Sequence, residues 1–218
     1  MGNPYKFMIF DFDGTLGNRK IYEERAARDI VDMMPIKDSF VKEAAVHDLI
    51  LQNSNGTNGY RNTFQYLKEH YNVGSMNAEE YGKFKREKEA DYVVLFPDVI
   101  STLDKLKDKY TFAVISDGFS VSQHRKVVQS GIASYLKTVV VSGDIGIDKP
   151  DSKIFDYCMN QLGACSEECI YVGDVFGKDV LGAYNAGIKP VWMMSFREEK
   201  CNVDVQIIHH FSELANLF

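Results

Sequence analysis

From Pro97 to Met193 short apolar runs alternate with amphipathic helical stretches, whereas the segment from about Ile21 to Glu89 carries helical periodicity with almost no strand-like alternation. The runs Thr111–Ile115, Thr138–Val141, Ile170–Val172 and Pro190–Met193 read as strands, with Gln206–Ile208 as a further short strand and Ser212–Ala215 as a Ser-capped terminal helix. Such alternation folds as a parallel sheet covered by helices on both faces, joined by right-handed crossovers. The apolar run Phe7–Phe10 precedes the helical stretch and reads as a buried strand. The stretch between is therefore an insertion. The expected architecture is α/β, a Rossmann-like core of residues 1–16 and 97–218 with an all-helical domain inserted at 17–96. Within the insertion, helices are expected at Ile21–Met33, Asp38–Gln52, Tyr60–His70 and Asn77–Tyr92, separated by Pro35, the loop Asn53–Gly59 and the turn Asn72–Met76.

The 218-residue chain is long enough for a main domain carrying such an insertion. A formal charge of −6 and the lack of a long basic run argue against a nucleic-acid surface, which needs clustered Lys and Arg. No apolar stretch approaches a membrane span and no leader precedes the first strand, so a soluble, cytoplasmic protein with a small-molecule partner is expected. Cys158, Cys165, Cys169 and Cys201 show neither metal-ligand nor disulfide spacing and read as reduced structural thiols. His209 and His210 read as surface packing rather than a metal site.

In an open α/β sheet the carboxyl ends of the strands form the ligand crevice, so the residues following each strand are the informative ones. The first strand ends in Asp11-Phe12-Asp13-Gly14, an acid pair with a glycine that permits a sharp exit. The next ends in Ser116-Asp117-Gly118, where a hydroxyl and backbone N–H groups can hold a phosphate oxygen or simply cap a turn. Beyond the third lies Lys149-Pro150, with Pro in the first turn of a helix and Lys aimed at the crevice, or a solvated helix start. The fourth ends in Gly173-Asp174, with Asp179 opening the following helix; these carboxylates suit Mg²⁺ or serve as loop and cap residues. Each reading alone has a plain structural alternative. Their order along successive strand ends matches what Mg²⁺-assisted phosphoryl transfer requires: nucleophile, proton donor, phosphate cradle and counter-charge.

This ordered set resembles the haloacid dehalogenase superfamily of phosphohydrolases, whose four motifs correspond to Asp11-Phe12-Asp13-Gly14-Thr15, Ser116, Lys149, and Gly173-Asp174 with Asp179. The likeness extends over the whole chain, through Phe96-Pro97-Asp98-Val99 and the segment Asp179–Gly187. It implies that Asp11 attacks phosphorus to form an aspartyl-phosphate, that Asp13 acts as general acid and base, and that Ser116 and Lys149 grip the phosphoryl oxygens. It further implies Mg²⁺ held by Asp11, the Asp13 carbonyl and Asp174, with Asp179 at or just behind the metal. Dehalogenases of the superfamily lack a carboxylate at the position of Asp13. Asp117 stands where many relatives carry Asn, and Gly17-Asn18 replaces the commoner acidic or hydroxyl-bearing residues.

The inserted helices are expected to act as a cap that excludes water and selects the leaving group. Its Asn53–Asn62 segment, with Arg61 as a substrate clamp or a solvated helix-start residue, is the expected specificity element; Arg19, Lys20, His124 and Arg125 are weaker candidates. The resulting expectation is a Mg²⁺-dependent phosphomonoester hydrolase, monomeric or homodimeric, acting on a nucleoside monophosphate or sugar phosphate. A phosphosugar mutase of the β-phosphoglucomutase type, and a non-catalytic binding module on the same scaffold, are the alternatives.

Overall fold

The computed structural model describes residues 4–53, 58–195 and 202–218. Two compact units are present, one formed by Met1–Asn18 and Leu95–Phe218, the other by Arg19–Val94.

The first unit is built on six parallel strands: β1 (Phe7–Phe10), β2 (Thr111–Ser116), β3 (Leu136–Val141), β4 (Cys169–Gly173), β5 (Lys189–Met193) and β6 (Gln206–Ile208), in the order β3-β2-β1-β4-β5-β6. The fold is thus the α/β, Rossmann-like parallel sheet that the alternating pattern dictates. The strand order reverses at β1, which pairs with β2 on one side and β4 on the other, so this is the topological switch point where an open sheet parts to admit a ligand. The all-apolar composition of β1 follows from this central place: Met8, Ile9 and Phe10 are fully buried, with both faces of the strand covered.

Helices α5 (Val99–Leu106), α6 (Ser120–Gln129), α7 (Ser142–Ile145), α8 (Ser152–Leu162), α9 (Leu181–Asn185) and α10 (Leu214–Leu217) clothe the sheet. One core layer packs Ile154, Phe155 and Cys158 of α8 against Ile9, Ala113, Ile115 and Tyr171 of the strands. Burying side chains of this size stabilises by roughly 1.5–3 kcal/mol each. Cys158 and Cys169 lie in this layer, where burial pushes both thiols up to about 12, so they are protonated at neutral pH. Cys158, Cys165 and Cys169 are free; Cys201 lies outside the described residues.

Two local expectations are corrected. Pro150 is not in the first turn of α8: Asp151 is the N-cap, its carboxylate accepting from Lys153 N–H at 3.0 Å, and Pro150 precedes it. Ser212 does not cap the terminal helix either. The Glu213 carboxylate accepts from both His209 and His210 N–H at 2.8 Å, leaving Ser212 N–H to donate to Asp98.

The second unit contains α1 (Arg19–Asp32), α2 (Ser39–Asn53), α3 (Tyr60–His70) and α4 (Ala78–Glu87), closed by a 3-10 turn at Glu89–Tyr92. Its core unites Ile30, Val31, Leu49, Phe64, Leu67 and Tyr81. Asn77 opens α4 with a capping box: its side chain accepts from Glu79 and Glu80 N–H while the Glu80 carboxylate accepts from Asn77 N–H. No helix among the described residues is long and apolar enough to cross a membrane.

Candidate active site

Asp11, Ser116 and Asp174 all sit at or just past the carboxyl ends of neighbouring strands β1, β2 and β4, because the parallel register aligns Phe10 with Val114 and with Val172. The chain must then turn away without filling the crevice. Gly14 has φ +101°, and a Cβ there would lie 2.3 Å from Asp174 Oδ2, so both conformation and space require glycine. Gly173 is constrained by space alone: a Cβ would fall 2.3 Å from Asp179 Cβ.

Lys149 is the centre of the site. Its Nζ donates to Asp11 Oδ1 at 2.6 Å, Asp179 Oδ1 at 2.6 Å and the Tyr171 hydroxyl at 3.1 Å, and its side chain is 3% exposed. Burial alone would pull its pKa down, but Asp11, then Asp179, Tyr171 and Asp117, outweigh that effect and hold it well above the ordinary lysine value. The ammonium is therefore charged at neutral pH. Burial and then Asp179 push the Tyr171 phenol well above its usual range, so it remains a neutral donor, bonding Asp179 Oδ1 at 3.0 Å.

Asp179 is aimed inward by a wide turn over Phe176–Val180 that precedes α9, where a regular helix from Val180 is the sequence expectation. In that turn Val175 N–H donates to Asp179 Oδ2 at 2.9 Å, leaving Oδ1 for Lys149 and Tyr171. Asp117 joins the site indirectly: it accepts from Lys149 N–H at 3.0 Å and from Lys178 Nζ at 2.9 Å. The unusual carboxylate at this position thus has its own counter-ion. Ser116 is buried at the end of β2, and Gly118 in the loop beyond it donates its N–H to Ser142 Oγ at 3.0 Å.

Asp11, Asp174 and Asp179 each offer one carboxylate oxygen, all within 4.8 Å of one another. An all-oxygen donor set with excess negative charge fits a hard divalent cation such as Mg²⁺, and Lys149 offsets only one of the three charges. Among the described residues this is the only such group, and His209 and His210 do not belong to one.

Sequence reasoning did not anticipate the surroundings of Asp13. Lys126 Nζ donates to both of its carboxylate oxygens, at 3.0 and 3.1 Å, and Gln123 Nε2 donates to Oδ2 at 2.9 Å. The available signal was a Gln and a Lys three residues apart, hence on one face, in the helix that follows Ser116. Tyr171 and Lys178 were likewise missed.

Arg61 lies in the second unit at the start of α3. It is exposed and ion-paired to Glu79 at 2.6 Å, an arrangement in keeping with a solvated helix-start arginine. Residues 54–57 of the expected specificity loop lie outside the described residues. His124 is exposed and pairs with Asp144 at 2.7 Å.

The model of the haloacid dehalogenase-like hydrolase family matches residues 8–193. The glyceraldehyde 3-phosphate phosphatase of Methanothermobacter thermautotrophicus is 35% identical over 130 residues, 56% of this chain and 58% of that enzyme, so the match spans little over half the relative's length. The enzyme of the same name from Methanopyrus kandleri is 29% identical over 206 residues, covering 85% of this chain and 82% of the relative. A pyrimidine 5'-nucleotidase of Streptococcus pneumoniae is 26% identical over 86% of this chain and 83% of its own. Among solved structures, a HAD-hydrolase of Bacillus subtilis bound to magnesium superposes with a TM-score of 0.83 at 20% identity, covering 98% of both chains, which supports the fold. The chain belongs to the haloacid dehalogenase-like hydrolase family, in which the curated relatives it matches here are phosphatases.

Proposed function

We propose that this chain hydrolyses small phosphomonoesters with Mg²⁺, through a phosphoryl group carried transiently on Asp11. The observation that carries this reading is the convergence of Asp11, Asp174 and Asp179, with Lys149 bonded to two of them, at the strand-order switch point. Asp11 is a carboxylate and needs no activation to attack; capture of the phosphoryl group divides one hard displacement into two easier ones. Lys149 and Ser116 neutralise and hold phosphoryl oxygens, which carry most of the charge in the transition state. Asp13 gives a proton to the departing alkoxide and takes one from the water that then cleaves the aspartyl-phosphate. The Asp11 side chain, the Asp13 carbonyl, Asp174 and Asp179 would hold Mg²⁺. The ion supplies positive charge to the transferring phosphoryl group.

The named relatives act on glyceraldehyde 3-phosphate or pyrimidine nucleotides. These are small phosphate esters, and a sugar phosphate or nucleoside monophosphate is proposed here for the same reason. The helical unit is proposed as the cap that selects among them; Arg61, already paired to Glu79, is left out of the binding set. A panel of phosphorylated metabolites assayed with Mg²⁺ for inorganic phosphate and for positional isomers tests the proposal. Stoichiometric phosphate with no isomer is expected; isomer formation without phosphate would identify a mutase, and neither product would identify a binding module.

A further inference from the structure

Helix α6 is oriented against its own hydrophobic pattern. It exposes Val121 at 58% and Val128 at 67%, yet its buried face is Ser122, Gln123, Lys126 and Val127. A helix that followed apolar burial alone would turn valines inward and lysine outward. Sinking an ammonium is costly unless a partner is waiting, and Lys126 is 3% exposed with both oxygens of Asp13 as its partners, themselves in a side chain 8% exposed.

Three bonds therefore fix one carboxyl group: two from Lys126, at 3.0 and 3.1 Å, and one from Gln123 at 2.9 Å. Gln123 is in turn oriented by a second bond, from the same Nε2 to the Asp117 carbonyl at 3.2 Å. Because both neighbours of that nitrogen are acceptors, the amide cannot be reversed without losing both bonds. Both donors, Lys126 and Gln123, reach the Asp13 carboxyl from this one helix.

We infer that Lys126 and Gln123 are positioning residues for the acid–base step, setting the direction in which Asp13 presents its oxygens to the leaving group. This rests on the proposed role of Asp13. Misdirecting a proton donor by a fraction of its hydrogen-bond length removes most of its contribution without touching nucleophile or metal ligands.

The test exploits leaving-group chemistry. An alkoxide needs a proton as it departs, whereas p-nitrophenolate leaves without one, so kcat/KM, which reports only the steps through phosphoryl capture, separates the two. Lys126→Met should lower kcat/KM for the fastest alkyl phosphate of the panel by about 100-fold and that for p-nitrophenyl phosphate by less than about 3-fold. Lys126→Arg should recover most of the alkyl activity, and Gln123→Leu should show the same selective loss at about 10-fold. Mg²⁺ affinity measured by calorimetry should be unchanged in all three. Equal losses on both esters, or none on either, would overturn the inference. Asp13→Asn provides the control: if it is selective and Lys126→Met is not, the positioning inference fails alone. If Asp13→Asn shows no selectivity, the acid–base reading and the inference fail together. Should Lys126→Met not fold, Gln123→Leu and Lys126→Arg decide the matter by the same criterion.

Discussion

Each unit of the molecule sets a lysine against carboxylates, Lys149 buried in the α/β unit and Lys85 half-buried in the helical one, and the two sites are built in different ways. In the helical unit Lys85 bonds Asn53 Oδ1 at 3.1 Å and approaches Glu89 at 3.5 Å, one turn further along its own stretch, while Asn53 donates to Glu23. Burial lowers the Lys85 pKa, but Glu89 and its neighbours raise it further, so it too stays charged. Much of this arrangement is local, an i,i+4 pair locked onto two helices. In the α/β unit Lys149 meets Asp11 and Asp179, 138 and 30 residues away in sequence, from the segments that follow three different strands. A scaffold lysine needs only enough charge to balance its own burial. The second lysine bonds two of three carboxylates whose oxygens lie within 4.8 Å of one another, so more negative charge gathers there than it offsets, and the proposed function assigns that excess to a cation and a phosphoryl group.

The sharpest contrast should come from removing each lysine. Lys149→Met leaves Asp11 and Asp179 buried beside each other, and is expected to cost roughly 3–5 kcal/mol of stability without metal and at least ~100-fold in turnover. Added Mg²⁺ should recover part of the lost stability, seen as a larger rise in melting temperature than in the unsubstituted protein. A melting temperature that Mg²⁺ does not move would separate the carboxylate cluster from metal binding. Lys85→Met should cost less, about 1–3 kcal/mol, since the remaining groups are partly solvated. Its kcat on p-nitrophenyl phosphate should stay within about 3-fold of the unsubstituted value, because the proposed chemistry does not involve it. A large loss in kcat at full fold would erase the distinction between the two lysines.

The smallest effect concerns pH. Asp48 on α2 accepts from Tyr71 at 2.7 Å and Tyr66 at 3.1 Å, and the Tyr71 bond first, against the opposing effect of burial, holds its carboxyl below the usual range. A depressed carboxylate contributes stability above its unfolded value of about 4, and that contribution is lost as pH falls through the lower folded value. Asp48→Asn should therefore melt lower than the unsubstituted protein at pH 7, with the gap narrowing as pH falls below about 4. A gap independent of pH would show that the amide replaces the carboxylate for reasons other than charge.

The same contrast explains what could be read from the sequence. Strands, the helical insertion and the acidic strand ends are written in local pattern, since apolar runs, glycines at sharp exits and Asp at strand termini act within a few residues. The chain enters and leaves the helical unit at Asn18/Arg19 and Val94/Leu95, close to the change in periodicity. The partners of those acids are a matter of tertiary distance. Lys126 lies 113 residues from Asp13, and only the completed fold brings α6 to the segment that follows β1. Tyr171 alternates along β4 as any buried aromatic would, and its hydroxyl gains meaning only beside Lys149 and Asp179. Pro150 and Ser212 misled because each is a good helix-start residue next to a better one, Asp151 in one case and the Glu213 carboxylate in the other.

The most direct test of the phosphoryl-transfer reading is phosphate release from p-nitrophenyl phosphate with Mg²⁺ by the Asp11→Asn variant. An amide retains the size of the side chain but is a far weaker nucleophile, so turnover should fall by at least ~1000-fold while the fold is kept. Turnover equal to that of the unsubstituted protein would contradict Asp11 as the residue that receives the phosphoryl group.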